Sequence, residues 1–319
     1  AEFLKLIEER NFPFSELRLL ASKRSAGKEI AFMGKTYTVE EATFDSFKGM
    51  DIALFAGGSI SKDFAPHAVN SSAFRMDPEV PLVVPEVNPQ AILKHKGIIA
   101  NPNCSTIIMV MALKPIYDLA KIKRVIVSTY QAVSGAGKEG IDELDAQVRE
   151  HSEGREMTAN ILPSASAEKH YPIAFNLIPQ IDVFCDNLYT KEEMKMVNET
   201  KKIMEDYEMR ITATTIRVPV YRSHSESVNI ELEKEVDLGA MREALAKFPG
   251  VTVQDDPSKQ EYPMPLYTSE KDDVYVGRLR RDESCEKSYN MWVVGDQIRK
   301  GAALNTLQIA ETMIKNGWI

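Results

Sequence analysis

Apolar and polar positions fall into two regimes along the chain. Residues 1–10, AEFLKLIEER, put Phe3, Leu4, Leu6 and Ile7 on one stripe with Lys and Glu opposite, the period of an amphipathic helix. No capping residue precedes Ala1, so this pattern reads as a helix already under way. Strand-like runs follow at 17–22, 36–39, 51–56 and 81–84. The run DIALFA at 51–56 is nearly continuous in apolar residues and ends at Gly57-Gly58-Ser59, the pattern of a buried parallel strand with a ligand-facing carboxyl end. Short strands alternating with helices predict a doubly wound α/β domain to about residue 103.

Beyond residue 104 the character changes. Runs at 123–132, 211–220, 228–233, 274–281 and 290–294 are longer, β-branched and often alternating, which predicts a larger mixed or antiparallel sheet. Amphipathic helices are expected at 140–150, 191–207 and 238–247. A last one at 297–315 carries Ala302, Ala303, Leu307, Ile309, Ala310 and Ile314. Residues 255–265 hold three prolines and read as a surface loop.

Composition narrows the function classes. A chain of 319 residues is long enough for two domains, and 44% hydrophobic with 27% charged residues is ordinary for a globular protein. The net charge of −8 disfavours a nucleic-acid or membrane-surface binder, and any anionic substrate must meet locally concentrated cations. The aliphatic stretch 107–113 falls far short of the roughly 20 residues that span a bilayer, and the start does not read as a signal peptide. Cys104, Cys185 and Cys285 form neither a disulfide framework nor a CxxC site, so a reducing cytoplasm is expected.

Candidate chemistry begins at NPNCST, residues 101–106. Pro102 disfavours helix at Asn101, so Asn103 or Cys104 takes the cap position ahead of an apolar helix. A helix start lowers a thiol pKa through its unpaired N–H groups and dipole, and the same groups can hold an oxyanion. A small buried cysteine is the competing reading. Of five histidines, His224 stands out: it lies in a Ser-rich turn after the strand bearing Arg217 and before the strand at 228–233. A distant Cys and His can form a nucleophile–base pair when the fold joins them.

The segments NPNCST, YQAVSGAGKEG (130–140), HYPIAFNLIPQID (170–182), EEMKMVNETKKIM (192–204), RVPVYRSHSESVNIE (217–231), VGRLRRD (276–282) and MWVVGDQIRKGAALNTLQIAE (291–311) together resemble the aspartate-semialdehyde dehydrogenases, in order and over nearly the whole chain. The resemblance implies a Rossmann-like NADP-binding domain at 1–103, completed by the C-terminal helix at 297–319. It implies an α+β catalytic and dimerisation domain with a large mixed sheet at 104–296. The implied reaction is reversible reductive dephosphorylation of β-aspartyl phosphate to aspartate semialdehyde and phosphate, in lysine, threonine and methionine biosynthesis, by a cytoplasmic homodimer. By the same resemblance Cys104 is the nucleophile that carries a thioester, His224 the acid–base catalyst, and Gln131 the residue that positions the reacting group. Arg217 resembles the arginine for the substrate carboxylate. Asn103, Arg75, Lys195 and Glu192 complete the substrate set, with Arg75 and Lys195 on the phosphate side. Glu192 and Lys195, three apart on one helix, also fit an ordinary surface ion pair.

Thioester chemistry needs a polarisable nucleophile that also leaves well, which selects cysteine over serine. Binding a carboxylate and a phosphate together calls for several cations, arginine with its bidentate fork among them. The turn SKRSAGK, at 22–28, follows a strand and carries three cations and no acid, which suits the 2′-phosphate of NADP over NAD. Ser22, Arg24 and Ser25 are the expected contacts. Gly57, Gly58, Ser134 and Gly135 supply small residues where a cofactor approaches backbone, and the resemblance adds Asn305. The family's opening strand and glycine-rich turn do not precede the first helix in this sequence, which reads as part of a longer one. A related acyl-phosphate reductase of the N-acetyl-glutamyl-phosphate type, a catalytically silent assembly subunit and a cysteine hydrolase are the competing functions.

Overall fold

The computed structural model describes residues 2–55, 64 and 74–319. The chain divides into two compact units, Ala1–Pro102 with Ala303–Ile319, and Asn103–Ala302.

In the first unit, helix α1 (Glu2–Glu9) buries Leu6 and Ile7 with Phe32 and with Leu304 and Leu307 of the C-terminal helix Leu304–Lys315. Strand β1 (Leu20–Ala21) pairs in parallel with β4 (Glu40–Glu41), and β2 (Glu29–Phe32) forms an antiparallel hairpin with β3 (Lys35–Thr38). The hairpin turns at Met33-Gly34, both at positive φ, as a two-residue turn of matching twist requires. A second cluster joins Val83, Ile92 and Ile99 to Ile309 and Met313 of the C-terminal helix.

Two strand expectations are corrected here. Residues 51–55 form no ladder with any described strand, and 81–84 contribute only a parallel bridge between Leu82 and Ala100. Apolar runs report burial, and Val83 and Val84 are indeed fully buried, yet Val84 gives its N–H to the Asn88 side chain instead of a ladder. The Gly57-Gly58-Ser59 turn lies outside the described residues.

The second unit is built on one six-stranded mixed sheet. Its strands are β5 (Ile122–Gln131), β6 (Arg210–Arg217), β7 (His224–Leu232), β8 (Val251–Val253), β9 (Val274–Arg281) and β10 (Ser288–Gly295), in the order β6-β5-β7-β10-β9-β8. The β5–β6 and β8–β9 pairs are parallel and the others antiparallel. Helix α2 (Cys104–Leu119) is buried almost throughout, packing on the sheet and on α4 (Lys191–Ile203) and α5 (Leu238–Lys247); α3 (Lys138–Ser152) follows the turn after β5. That burial explains a helix with apolar side chains on every face.

Element ends differ from expectation in ways that bear on the site. His224 opens strand β7 and is not in the preceding turn. The C-terminal helix begins at Leu304, after a π turn at Arg299–Ala303, so residues 297–302 belong to the second unit. No helix of the described residues is long and apolar enough to cross a membrane.

Candidate active site

Strand register gathers the sequence candidates of the second unit. Arg217, the last residue of β6, is paired with Gln131, the last of β5, and His224, the first of β7, with Gly295, the last of β10. Tyr130 is paired with Ser225, so Gln131 and His224 are neighbours across the strands. Two residues back, Thr215, Thr129, Glu226 and Val293 form a parallel row, which the two-residue strand period puts on the same face. A Cβ added at Gly295 would lie 3.0 Å from Ile108, which places the first turns of α2 over this face.

Asn103, and not Cys104, is the cap of α2. Its side-chain oxygen accepts from Ser105 N at 3.1 Å and Thr106 N at 3.3 Å, a contribution of about 1 kcal/mol to the helix. Its amide Nδ2 donates to Glu192 Oε1 at 2.8 Å, and its backbone N–H to Glu199 Oε2 at 2.6 Å. Cys104 is therefore the first helical residue. The π turn lies against it: a Cβ at Gly301 would come within 2.9 Å of the Cys104 Cβ, so glycine permits that approach.

Arg217 is 4% exposed, and its Nη1 donates to Ala132 O at 2.7 Å. Burial draws its pKa below the ordinary guanidinium value, opposed by the charges of Glu192 and Cys104. Arg217 and Cys104 thus share one local field. His224 is fully buried, and its Nδ1 accepts the Ala132 N–H at 3.1 Å. Burial, with the Arg217 charge acting the same way, holds it well below the usual imidazole range. The neutral ring then carries its proton on Nε2. Arg217 Nε and His224 Nε2 have no partner among the described residues. Buried donors are rarely left so, and here they mark where an anionic group would sit.

Glu192 and Lys195 are not an ordinary surface pair. Glu192 is buried, and besides Asn103 it meets Gln131 Nε2 at 3.4 Å and Lys195 Nζ at 3.1 Å. Lys195, one-third exposed, also reaches Asp182 at 3.1 Å. Burial disfavours its charge, but the Glu192 and Asp182 carboxylates outweigh that and raise its pKa.

On the turn after β5, Ser134 Oγ accepts from Gln297 Nε2, while Gln297 Oε1 accepts from Ser223 N at 2.8 Å. Ser223 precedes His224 with φ of 76°, a conformation costing on the order of 1–3 kcal/mol in a non-glycine residue. A Cβ at Gly135 would lie 2.6 Å from Arg217 Nη1 and 3.5 Å from His224 Cε1.

The remaining candidates belong to the first unit. Ser22 accepts from Ser25 N at 2.8 Å in a turn just after β1, with Ser22 and Arg24 exposed and Ser25 half-buried. Arg75 donates to the carbonyls of Asn101 at 2.8 Å and Pro102 at 3.2 Å. Asn305 is buried and gives its amide to Val83 O at 2.9 Å and Asn101 Oδ1 at 2.8 Å, an anchoring role within this unit. Gly57 and Gly58 lie outside the described residues.

Four polar residues of the second unit escaped the sequence reading: Asp182, Glu199, Glu226 and Gln297. Only Glu199 left a usable signal, seven residues from Glu192 and so on the same helical face.

Comparison with known proteins gives the family of this chain. Residues 1–95 match the family model "Semialdehyde dehydrogenase, NAD binding domain", and 113–300 match "Semialdehyde dehydrogenase, dimerisation domain". An aspartate-semialdehyde dehydrogenase of Aquifex aeolicus is 56% identical, covering 99% of this chain and 95% of its own length. That of Bacillus subtilis is 52% identical, covering 98% and 94%. A crystal structure of aspartate semialdehyde dehydrogenase II from Vibrio cholerae, complexed with ASA, superposes with a TM-score of 0.92 at 44% identity, covering 98% of this chain and 94% of that one.

Proposed function

Because the chain belongs to the aspartate-semialdehyde dehydrogenase family, we propose that it converts aspartate semialdehyde, phosphate and NADP reversibly to β-aspartyl phosphate and NADPH, with Cys104 as the nucleophile. The observation that carries this reading is the buried Arg217–His224 pair with its unpartnered donors, Arg217 lying within electrostatic reach of Cys104 at a capped helix start.

Cys104 attacks the aldehyde carbon as thiolate, a form favoured by the α2 N-terminus and the Arg217 charge. The S–C bond forms and the carbonyl oxygen takes up the electron pair, with His224 Nε2–H donating to it. Since Nδ1 already accepts from Ala132, the acid–base role implied by resemblance narrows to holding a proton at Nε2. Arg217 binds the substrate carboxylate through its remaining donors, and Gln131 orients the reacting group. When bound, NADP would supply the acceptor for the hydride that leaves the thiohemiacetal carbon, giving the thioester. Phosphate, for which Lys195 offers a cation, attacks that thioester, and the thiolate leaves.

The donor set of the turn after β1 fits the cofactor's 2′-phosphate, since Ser22, Arg24 and Ser25 stand there with no carboxylate. A reducing compartment keeps a catalytic thiol free of disulfides, which supports a cytoplasmic location. Large exposed apolar side chains in the second unit, such as Phe175 and Leu188, support a homodimer. The test is NADP reduction with aspartate semialdehyde: activity that depends on phosphate is expected, and a folded protein without it would contradict the reading.

A further inference from the structure

Asn103 makes five hydrogen bonds, three with α2 and two with α4. Its side chain caps α2 through Ser105 and Thr106, while Glu192 takes its amide and Glu199 its backbone N–H. Glu192 and Glu199 are two turns apart on α4, on one face. Glu199 is fully buried, where a carboxylate is costly unless its hydrogen bonds recover the loss. A buried backbone N–H equally needs an acceptor. At 2.6 Å the bond is short enough to be charge-assisted.

The helix presenting these carboxylates is itself fixed to the site. Thr190 and Glu193 close a reciprocal capping box at its start, at 2.7 and 3.2 Å. The other oxygen of Glu193 accepts from Thr215 N at 3.0 Å, two residues before Arg217 on β6. One rigid helix therefore spans from the strand end carrying Arg217 to the residue preceding Cys104. The thiol is attached where that span ends.

We infer that Glu199 is a positioning residue for the reaction: by accepting the Asn103 N–H it fixes the first turn of α2, and with it the Cys104 thiol, relative to Arg217. The inference rests on Cys104 being the nucleophile. It makes no claim that Glu199 touches substrate.

The test uses the full chain with Glu199→Asp and Glu199→Gln, with Cys104→Ser as control. Aspartate withdraws the carboxylate by one methylene, whereas glutamine keeps an acceptor oxygen at the same reach. In phosphate-dependent NADP reduction, Glu199→Asp is expected to lower kcat by about 10- to 100-fold, the effect of displacing a reacting group by about an ångström, with KM for the semialdehyde within about threefold. Glu199→Gln is expected to recover most of that kcat. Thermal melts establish folding in each case. A folded Glu199→Asp with near-normal kcat overturns the inference, as does equal impairment of both variants. If Glu199→Asp does not fold, Glu199→Gln decides alone: activity within about fivefold supports the acceptor role, and a folded but inactive protein overturns it. Turnover surviving Cys104→Ser would instead remove the nucleophile reading, and this inference with it.

Discussion

Ala132 gives both of its backbone polar groups to the candidate site: its N–H to His224 Nδ1 at 3.1 Å, and its carbonyl to Arg217 Nη1 at 2.7 Å. One residue in the turn after β5 thereby sets the tautomer of the imidazole and the position of the guanidinium. Both consequences can be measured.

Replacing His224 with Asn removes the Nε2 donor while keeping a polar side chain. The expected loss in kcat is about 10²-fold or more, in the range of a lost oxyanion donor, with KM for the semialdehyde changed only modestly. Steady-state kinetics separates the two, and a change in KM alone would leave His224 a binding residue. Nitrogen NMR of the wild-type ring should show an unprotonated Nδ1 and a protonated Nε2, unchanged between pH 7 and 6, because burial and Arg217 hold the pKa well below its ordinary value.

Arg217→Lys keeps the charge but loses the planar fork. A charge-assisted hydrogen bond contributes about 1.5–3 kcal/mol, so kcat/KM for the semialdehyde should fall by roughly 10- to 150-fold. Much of that loss is expected in KM. An unchanged KM would mean that the substrate carboxylate binds elsewhere.

The site's composition shows what the sequence could and could not disclose. NPNCST revealed a helix start, because Pro102 and a polar first turn ahead of an apolar run have local causes. The identity of the cap stayed open between Asn103 and Cys104, since only the donor geometry decides it. His224 was read into a turn because serines surround it; its ladder partners in β10 lie some seventy residues away. Glu192 fits both a substrate role by resemblance and a surface ion pair, and nothing local sets the carboxylates at 199 and 226 apart from solvated charge; only tertiary packing reveals all three as buried. In the first unit, the apolar run at 81–84 foretold burial, whereas 17–21 and 52–55 are only half-buried, and hydrogen-bonded strands were foretold less well, for burial alone leaves no mark on pairing.

Glu226 carries a pH signature. Its two oxygens are buried without a partner among the described residues, and burial raises its pKa well above the ordinary carboxylate value. The folded protein therefore binds more protons here than the unfolded chain. This contribution to stability is full below the unfolded value of about 4.5 and is lost as pH rises through the folded pKa. Glu226→Gln should raise the melting temperature at pH 8 by about 2 °C or more, with a much smaller difference at pH 5. Calorimetry at both pH values checks this, and a pH-independent difference would refute it.

Arg24→Ala removes a cation from the turn after β1. KM for NADP is expected to rise about tenfold, with little change for NAD, since only the former has a phosphate to lose contact with. Equal effects on the two cofactors would place the 2′-phosphate away from this turn.

The nucleophile itself is open to direct observation. Mixing the protein with aspartate semialdehyde and NADP, without phosphate, should leave the acyl group on the enzyme. Rapid quenching, proteolysis and mass spectrometry should then find an aspartyl thioester on the peptide containing Cys104, discharged when phosphate is added. Turnover on adding phosphate with Cys104 unmodified, or the acyl group on another residue, would contradict the account.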